Sequence, residues 1–182
     1  MSCDDELYWL ETYFILFSRK QRPALAQVSE SLRKANMHFE LENHAADSEG
    51  LFDSILVESP EDHAAVEISY ATGDAIIEQN LVWAKQLKSQ LSPAQLQHLI
   101  KSDARLEVAH FERMSGSGPE PVGNEFGGGF DDDFGDEFSD DFEGPDGPND
   151  MLDPTCLLTV VETLARLTDG LTFDPAAGEI VG

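Results

Sequence analysis

Five histidines, His38, His44, His63, His98 and His110, are the side chains best suited by type to move protons near neutral pH or to bind a metal ion. None stands at metal-ligand spacing from another His or from a Cys, and neither Cys-x-x-Cys nor His-x-x-x-His occurs. Two short constellations could run acid–base chemistry: His44 with Asp47, and Glu61-Asp62-His63. Both fall where the sequence reads as loop or hairpin turn, and catalysis needs a converging site, not a residue type. His110 reads as a strand residue on a sheet face or core edge, and His98, beside Leu99, as a helix surface residue. Cys156 could gain reactivity from a helix N-terminus, but Leu157, Leu158 and Val160 follow it and mark it as a small core hydrophobe. Gly127-Gly128-Gly129 follows no strand pattern and is flanked by acids, which repel phosphate. The expectation is a non-enzymatic protein with no catalytic residue, metal ligand or cofactor.

The most regular pattern is aromatic. Phe126, Phe130, Phe134, Phe138 and Phe142 fall every four residues, and Asp131, Asp132, Asp133, Asp136, Asp140 and Asp141 fill most of the gaps between them. A helix with that period would let its apolar stripe drift around the surface. Five glycines between 127 and 144 make an isolated helix improbable. Crowded carboxylates and a lack of aliphatic residues predict a disordered, expanded segment. It fails as a calcium loop of the EF-hand type: counting from Asp131, position 5 is Gly135. The glycine-rich calcium nonapeptide fails in register as well. A spacer or solubility tract would need the acids and not the rings. Acidic–aromatic alternation suits a segment whose rings enter pockets on a basic protein while its carboxylates steer the approach.

Charge sharpens that expectation. The 182 residues hold 36 acidic and 11 basic side chains, a formal charge of −25, and residues 119–150 alone contribute twelve acids and no Lys or Arg. Direct binding to nucleic acid or an anionic membrane is disfavoured. Met1-Ser2-Cys3-Asp4-Asp5-Glu6 lacks the basic start of a signal peptide, and two cysteines make no disulfide framework. The expected compartment is the cytoplasm. A small basic cluster, Arg19, Lys20 and Arg22 with Arg33 and Lys34, could dock the chain's own acidic segment.

The elements that must position these groups read as α+β. Residues 12–18 form an apolar, aromatic run that suits a strand buried on both faces. Pro23 opens a helix carrying Leu25, Val28, Leu32 and Ala35, and Asn36 ends it. Residues 38–42 alternate as a strand, 43–53 read as a loop, and Ile55-Leu56-Val57 and 65–70 form a hairpin around Ser59–His63. Asp74 caps a helix with Ile77, Leu81, Ala84, Leu87 and Leu91 on one face and Trp83 beside it. Ser92-Pro93 starts another with Leu96, Leu99 and Ile100, and 105–111 alternate as a strand through Leu106, Val108 and His110. Asp153-Pro154 starts a last helix with Leu157, Leu158, Val161, Leu164, Ala165 and Leu167, Gly170 ends it, and a hairpin closes around Pro175–Gly178.

The last thirty-two residues are too few to fold alone. One domain over 1–182 is therefore expected, with 114–150 as an insert looped out of it and 151–182 completing the fold. The expected architecture is a single antiparallel or mixed sheet with helices packed on it, its element order echoing a ferredoxin-like unit. The function expected is an interaction or regulatory protein that binds a basic protein partner through the Phe and Asp positions named above. Two other readings fit the residues: an acidic inhibitor of the immunity-protein or DNA-mimic kind, and a small-molecule-binding domain with an ornamental insert.

Overall fold

A computed structural model describes residues 6–114 and 154–181. Seven strands form one antiparallel sheet: β1 (Glu6–Phe17), β2 (Glu40–Ala46), β3 (Phe52–Ser59), β4 (Ala64–Thr72), β5 (Ala104–Met114), β6 (Leu171–Asp174) and β7 (Glu179–Val181). Four helices pack on it: α1 (Leu25–Ala35), α2 (Asp74–Gln86), α3 (Pro93–Lys101) and α4 (Thr155–Thr168). The strand order is β2-β3-β4-β5-β1-β6-β7. Three strands separate β1 from β2, whereas a split β-α-β unit places one there, so the ferredoxin-like echo stops at element order.

The two faces of the sheet are covered unequally. On the first face, Ile15, Phe17, Ile55, Val57, Val66, Ile68, Leu106 and Val108 meet Val28 and Leu32 of α1 and Leu157, Val160 and Leu164 of α4 in one core. On the second face a smaller core joins Leu16 and Phe173 to Ala84 and Leu87 at the end of α2 and to Leu99 of α3, with Trp83 stacked between Phe14 and Phe173. β1 thus feeds both cores, and Ile15, Leu16 and Phe17 are all fully buried, as a continuous apolar run predicts.

Three bulges bend the sheet, and each hides strand character from the sequence. Leu10 is the extra residue of β1, since Trp9 opposes Phe111 and Glu11 opposes His110. In β2 the register slips between Glu42 and Ala45, where Asn43 takes a left-handed conformation (φ 46°). In β3 the extra residue is Asp53, which returns Phe52 to the first-face core. The stretch 43–53, expected to be a loop, is therefore mostly strand, with only residues 47–51 between β2 and β3. Likewise β1 begins at Glu6, six residues before the apolar run.

Several helix details also differ from expectation. Pro23 precedes α1 by two residues, after a 3-10 turn at Arg19–Gln21, and the Gln27 carboxamide accepts from the Ala24 N–H. Gly73, at φ 131°, takes the N-cap of α2, which leaves Asp74 in the first turn where its charge suits the helix dipole. The buried stripe of α2 is Ile76, Asn80 and Ala84, while Ile77 and Leu81 are exposed. Asn80 sets that rotation, because its Nδ2 donates to the Ser102 carbonyl at 2.9 Å and ties α2 to the end of α3. On α4, Leu158 is exposed, Pro154 sits at the N-cap, and Asp153 lies outside the described residues. Asp169, not Gly170, supplies the left-handed residue after α4 (φ 48°). Gly170 is needed for space: a Cβ there would stand 2.5 Å from Ile15 Cγ2 and 2.7 Å from Thr168 Oγ1. The Ser92-Pro93 start of α3 and the Asn36 end of α1 match their sequence signals, and Gln95 completes a capping box with Ser92.

Candidate functional site

Antiparallel register assigns every strand residue to a face. On the second face, Trp9, Phe111, Ala65, Glu58 and Glu40 form one row across β1, β5, β4, β3 and β2. The adjacent row runs Thr12, Ala109, Glu67, Leu56 and Glu42. Leu7 opposes Arg113 beyond the first row. Among the described residues no helix lies over these rows, so Trp9 is 61% exposed and Leu7 41%, with Leu56 and Phe111 half-buried. An antiparallel sheet with one wet face should carry polar residues at such positions. Four large apolar ones here are an unpartnered patch.

The bulges make this face concave. Leu7 and Asn43 line a common cleft although three strands lie between their own, and Ser54, Ile55, Leu56, Glu67 and Phe111 complete it. Its volume is about 290 Å³. Glu40, Glu42 and Glu58 stand beside it with carboxylate oxygens within 4.8 Å of one another. Arg113 Nη2 pairs with Glu58 at 2.7 Å. Glu40, Glu42 and Glu67 have no ion pair among the described residues. The arrangement can hold an apolar group and attract positive charge.

The sequence-expected binding residues, Phe126, Phe130, Phe134, Phe138 and Phe142 with Asp131, Asp132, Asp133, Asp136, Asp140 and Asp141, lie outside the described residues. Of the basic cluster, Arg22 is taken up by the fold, while Arg19, Lys20, Arg33 and Lys34 are exposed. The Arg22 side chain is 14% exposed: its Nε donates to the Phe52 carbonyl at 2.9 Å, Nη1 meets Asp47 at 3.0 Å, Nη2 meets Asp53 at 2.5 Å, and its guanidinium covers the Tyr70 ring. Arg19 pairs with Asp103, and Lys34 with Glu30.

The acid–base constellations come apart as well. Asp47 accepts from the Leu51 and Glu49 amides and from Arg22, and those bonds, the Leu51 amide first, hold its carboxyl below the usual range. His44 is exposed. Asp62 accepts from the Ser59 hydroxyl at 2.5 Å, Glu61 lies 3.5 Å from His38, and His63 sits in a left-handed turn. His98 is half-buried, with Nε2 at 3.1 Å from the Leu16 carbonyl, so it is a tie between α3 and β1. His110 is buried on the first face, its Nδ1 at 3.6 Å from Glu11. Cys156 is buried, and desolvation first, then the nearby Asp62 charge, pushes its thiol up to about 11. It packs as a hydrophobe.

Sequence reasoning missed Leu7, Trp9, Leu56, Glu67 and Phe111 as a set. The available signal was Leu56 and Phe111, apolar residues out of phase with the inward alternation of Ile55 and Val57 and of Leu106, Val108 and His110. The chain matches no family model, no curated protein and no solved structure. Among the described residues, no helix is long and apolar enough to cross a membrane.

Proposed function

We propose that this is a non-enzymatic interaction or regulatory protein of the cytoplasm that binds a basic protein partner. One observation carries the reading: among the described residues, an uncovered apolar sheet face lies beside the carboxylates Glu40, Glu42, Glu58 and Glu67, of which Arg113 pairs with Glu58. Apolar contact supplies affinity at such a surface, and the surrounding charge selects cationic partners and speeds their approach. The acidic segment with Phe126, Phe130, Phe134, Phe138 and Phe142 adds a second binding element of the same charge preference. Neither element favours nucleic acid or an anionic membrane, because both would repel phosphate.

The test is capture from the native cell with mass spectrometry, using the intact chain, a chain with all five of those Phe changed to Ser, and a chain with Trp9 and Phe111 changed to Ser. The expected result is a basic protein held by the intact chain, released by salt, and weakened in both variants. An unchanged capture list in both variants, or captured proteins without basic character, overturns the reading.

A further inference from the structure

We propose that the cleft between β1 and the β2 bulge receives a lysine or arginine side chain from a segment of the protein partner. The inference rests on the basic-partner reading and assigns it a place. The cleft is built from two chemistries in the proportions such a side chain has. Leu7, Leu56 and Phe111 form apolar walls that suit an aliphatic stem, and Glu67 offers a carboxylate for the cationic head. At about 290 Å³ the space lies just under the ~300–1,000 Å³ of ligand pockets and suits one long side chain.

Glu67 is the carboxylate that lines the cleft itself; like Glu40 and Glu42 it is exposed and has no ion pair among the described residues. Its cross-strand neighbours are Leu56 and Ala109, so it has no Lys or Arg opposite it, and its side chain makes no ion pair or hydrogen bond among the described residues. The other strand carboxylates nearest it differ: Glu58 is held by Arg113 and Glu107 by Arg105. Opposite charges are the stabilising cross-strand partners of a carboxylate, and here that place is vacant of any cation. Glu42 lies beyond Leu56 in the same row, and Glu40 next to it, so the field at the mouth of the cleft is negative. The Asn43 amide and Ser54 hydroxyl at the rim can bond the visiting backbone. The same field excludes the chain's own acidic segment, which has twelve acids and no base over 119–150.

Fluorescence anisotropy with a labelled peptide of alternating Leu and Lys, added to the full chain at physiological salt, tests the assignment. Glu67→Gln should weaken binding about three- to fivefold, the upper end for an ion pair at an exposed carboxylate. Glu78→Gln, which removes one exposed charge from α2, should change it by less than about twofold, as a screened surface charge does. Leu56→Ser should weaken binding while leaving the unfolding transition in place. Equal effects of Glu67→Gln and Glu78→Gln overturn the cleft assignment, since the binding is then diffuse attraction, and the basic-partner reading stands. No binding by the unaltered chain overturns the cleft assignment together with that reading. Competition by acetyl-lysine methylamide as effective as the unlabelled peptide also overturns it, because the cleft would then serve a free amine and not a partner segment.

Discussion

The two faces of the sheet obey opposite rules. Under α1 and α4, Ile15, Phe17, Ile55, Val57, Val66, Ile68, Leu106 and Val108 interlock with helix side chains and exclude water. On the other side, helix cover stops at the α2–α3 pair, and the strands beyond it alternate carboxylates with Leu7, Trp9, Leu56 and Phe111. Apolar residues on the first face are explained by the fold. Those on the second are not, because no element of the described chain lies on them. The same residue types therefore mean stability on one face and recognition on the other.

Substitutions should separate the faces, and the largest effect belongs to the covered one. Leu164→Ala removes a fully buried side chain and should cost about 2–5 kcal/mol in urea denaturation. Trp9→Ser should stay within about 0.5 kcal/mol, as exposed positions do. Comparable losses at the two sites would mean that the second face is packed in solution, which would end the comparison. Arg22→Ala comes next. It leaves Asp47 and Asp53, both partly exposed, without their cation and uncovers Tyr70, so about 1–2 kcal/mol is expected by the same denaturation. Arg105, its counterpart on the second face, lies over Phe14 and holds Glu107 and Gln79. Arg105→Ala should cost about half as much, since it bonds a neighbour two residues away and one exposed amide. The reverse order would show that α2 depends on Arg105 more than on Asn80 and Ile76.

How much of this was legible depends on whether one element or several define a feature. The run at Ile15-Leu16-Phe17 announces a strand buried on both sides, and Ser92-Pro93 announces a helix start, because the cause is local. The stripe of α2 was misread by one position. Apolar residues at 76, 77, 81, 82, 83 and 84 mark no unique face, and the inward residue that decides the rotation is polar Asn80, bonded to Ser102 from a different element. The cleft was illegible for a related reason. It needs five strands in register, Leu10 and Asn43 at bulges, and a curl that brings β1 toward β2. Bulges erase the alternation that would have revealed the strands on either side of them.

Gly170→Ala asks how tightly the covered face closes at its edge. The added methyl would meet Ile15 Cγ2 and Thr168 Oγ1 well inside contact distance. Overpacking of that kind costs about 1–3 kcal/mol. Because Ile15 belongs to the first-face core and its neighbour Leu16 to the second, the strain should register in the global transition. A neutral Gly170→Ala would mean that α4 can shift, and that the first face is less tightly locked than its burial implies.

The smallest effect is a pH dependence confined to the covered face. Burial pushes the Cys156 thiol up to about 11 in the folded chain, against about 8.5 for an unperturbed thiol. The neutral Cys156 thiol therefore contributes stability that is whole below about pH 8.5 and is lost as the pH rises through the folded value. Tyr13, raised by burial and then by the Glu11 charge, adds a loss in the alkaline range too, so the Cys156 share must be isolated. The difference in melting temperature between the unaltered chain and Cys156→Ala isolates it. That difference should hold constant up to about pH 8 and then shrink toward pH 11, while native-state alkylation by iodoacetamide stays slow throughout the lower range. A difference that does not change with pH, or rapid alkylation at pH 7, would place the thiol in water and open the first face at the N-terminal turn of α4. The covered and uncovered sides would then differ in degree, and burial alone would no longer separate residues that build the fold from residues that recognise a partner.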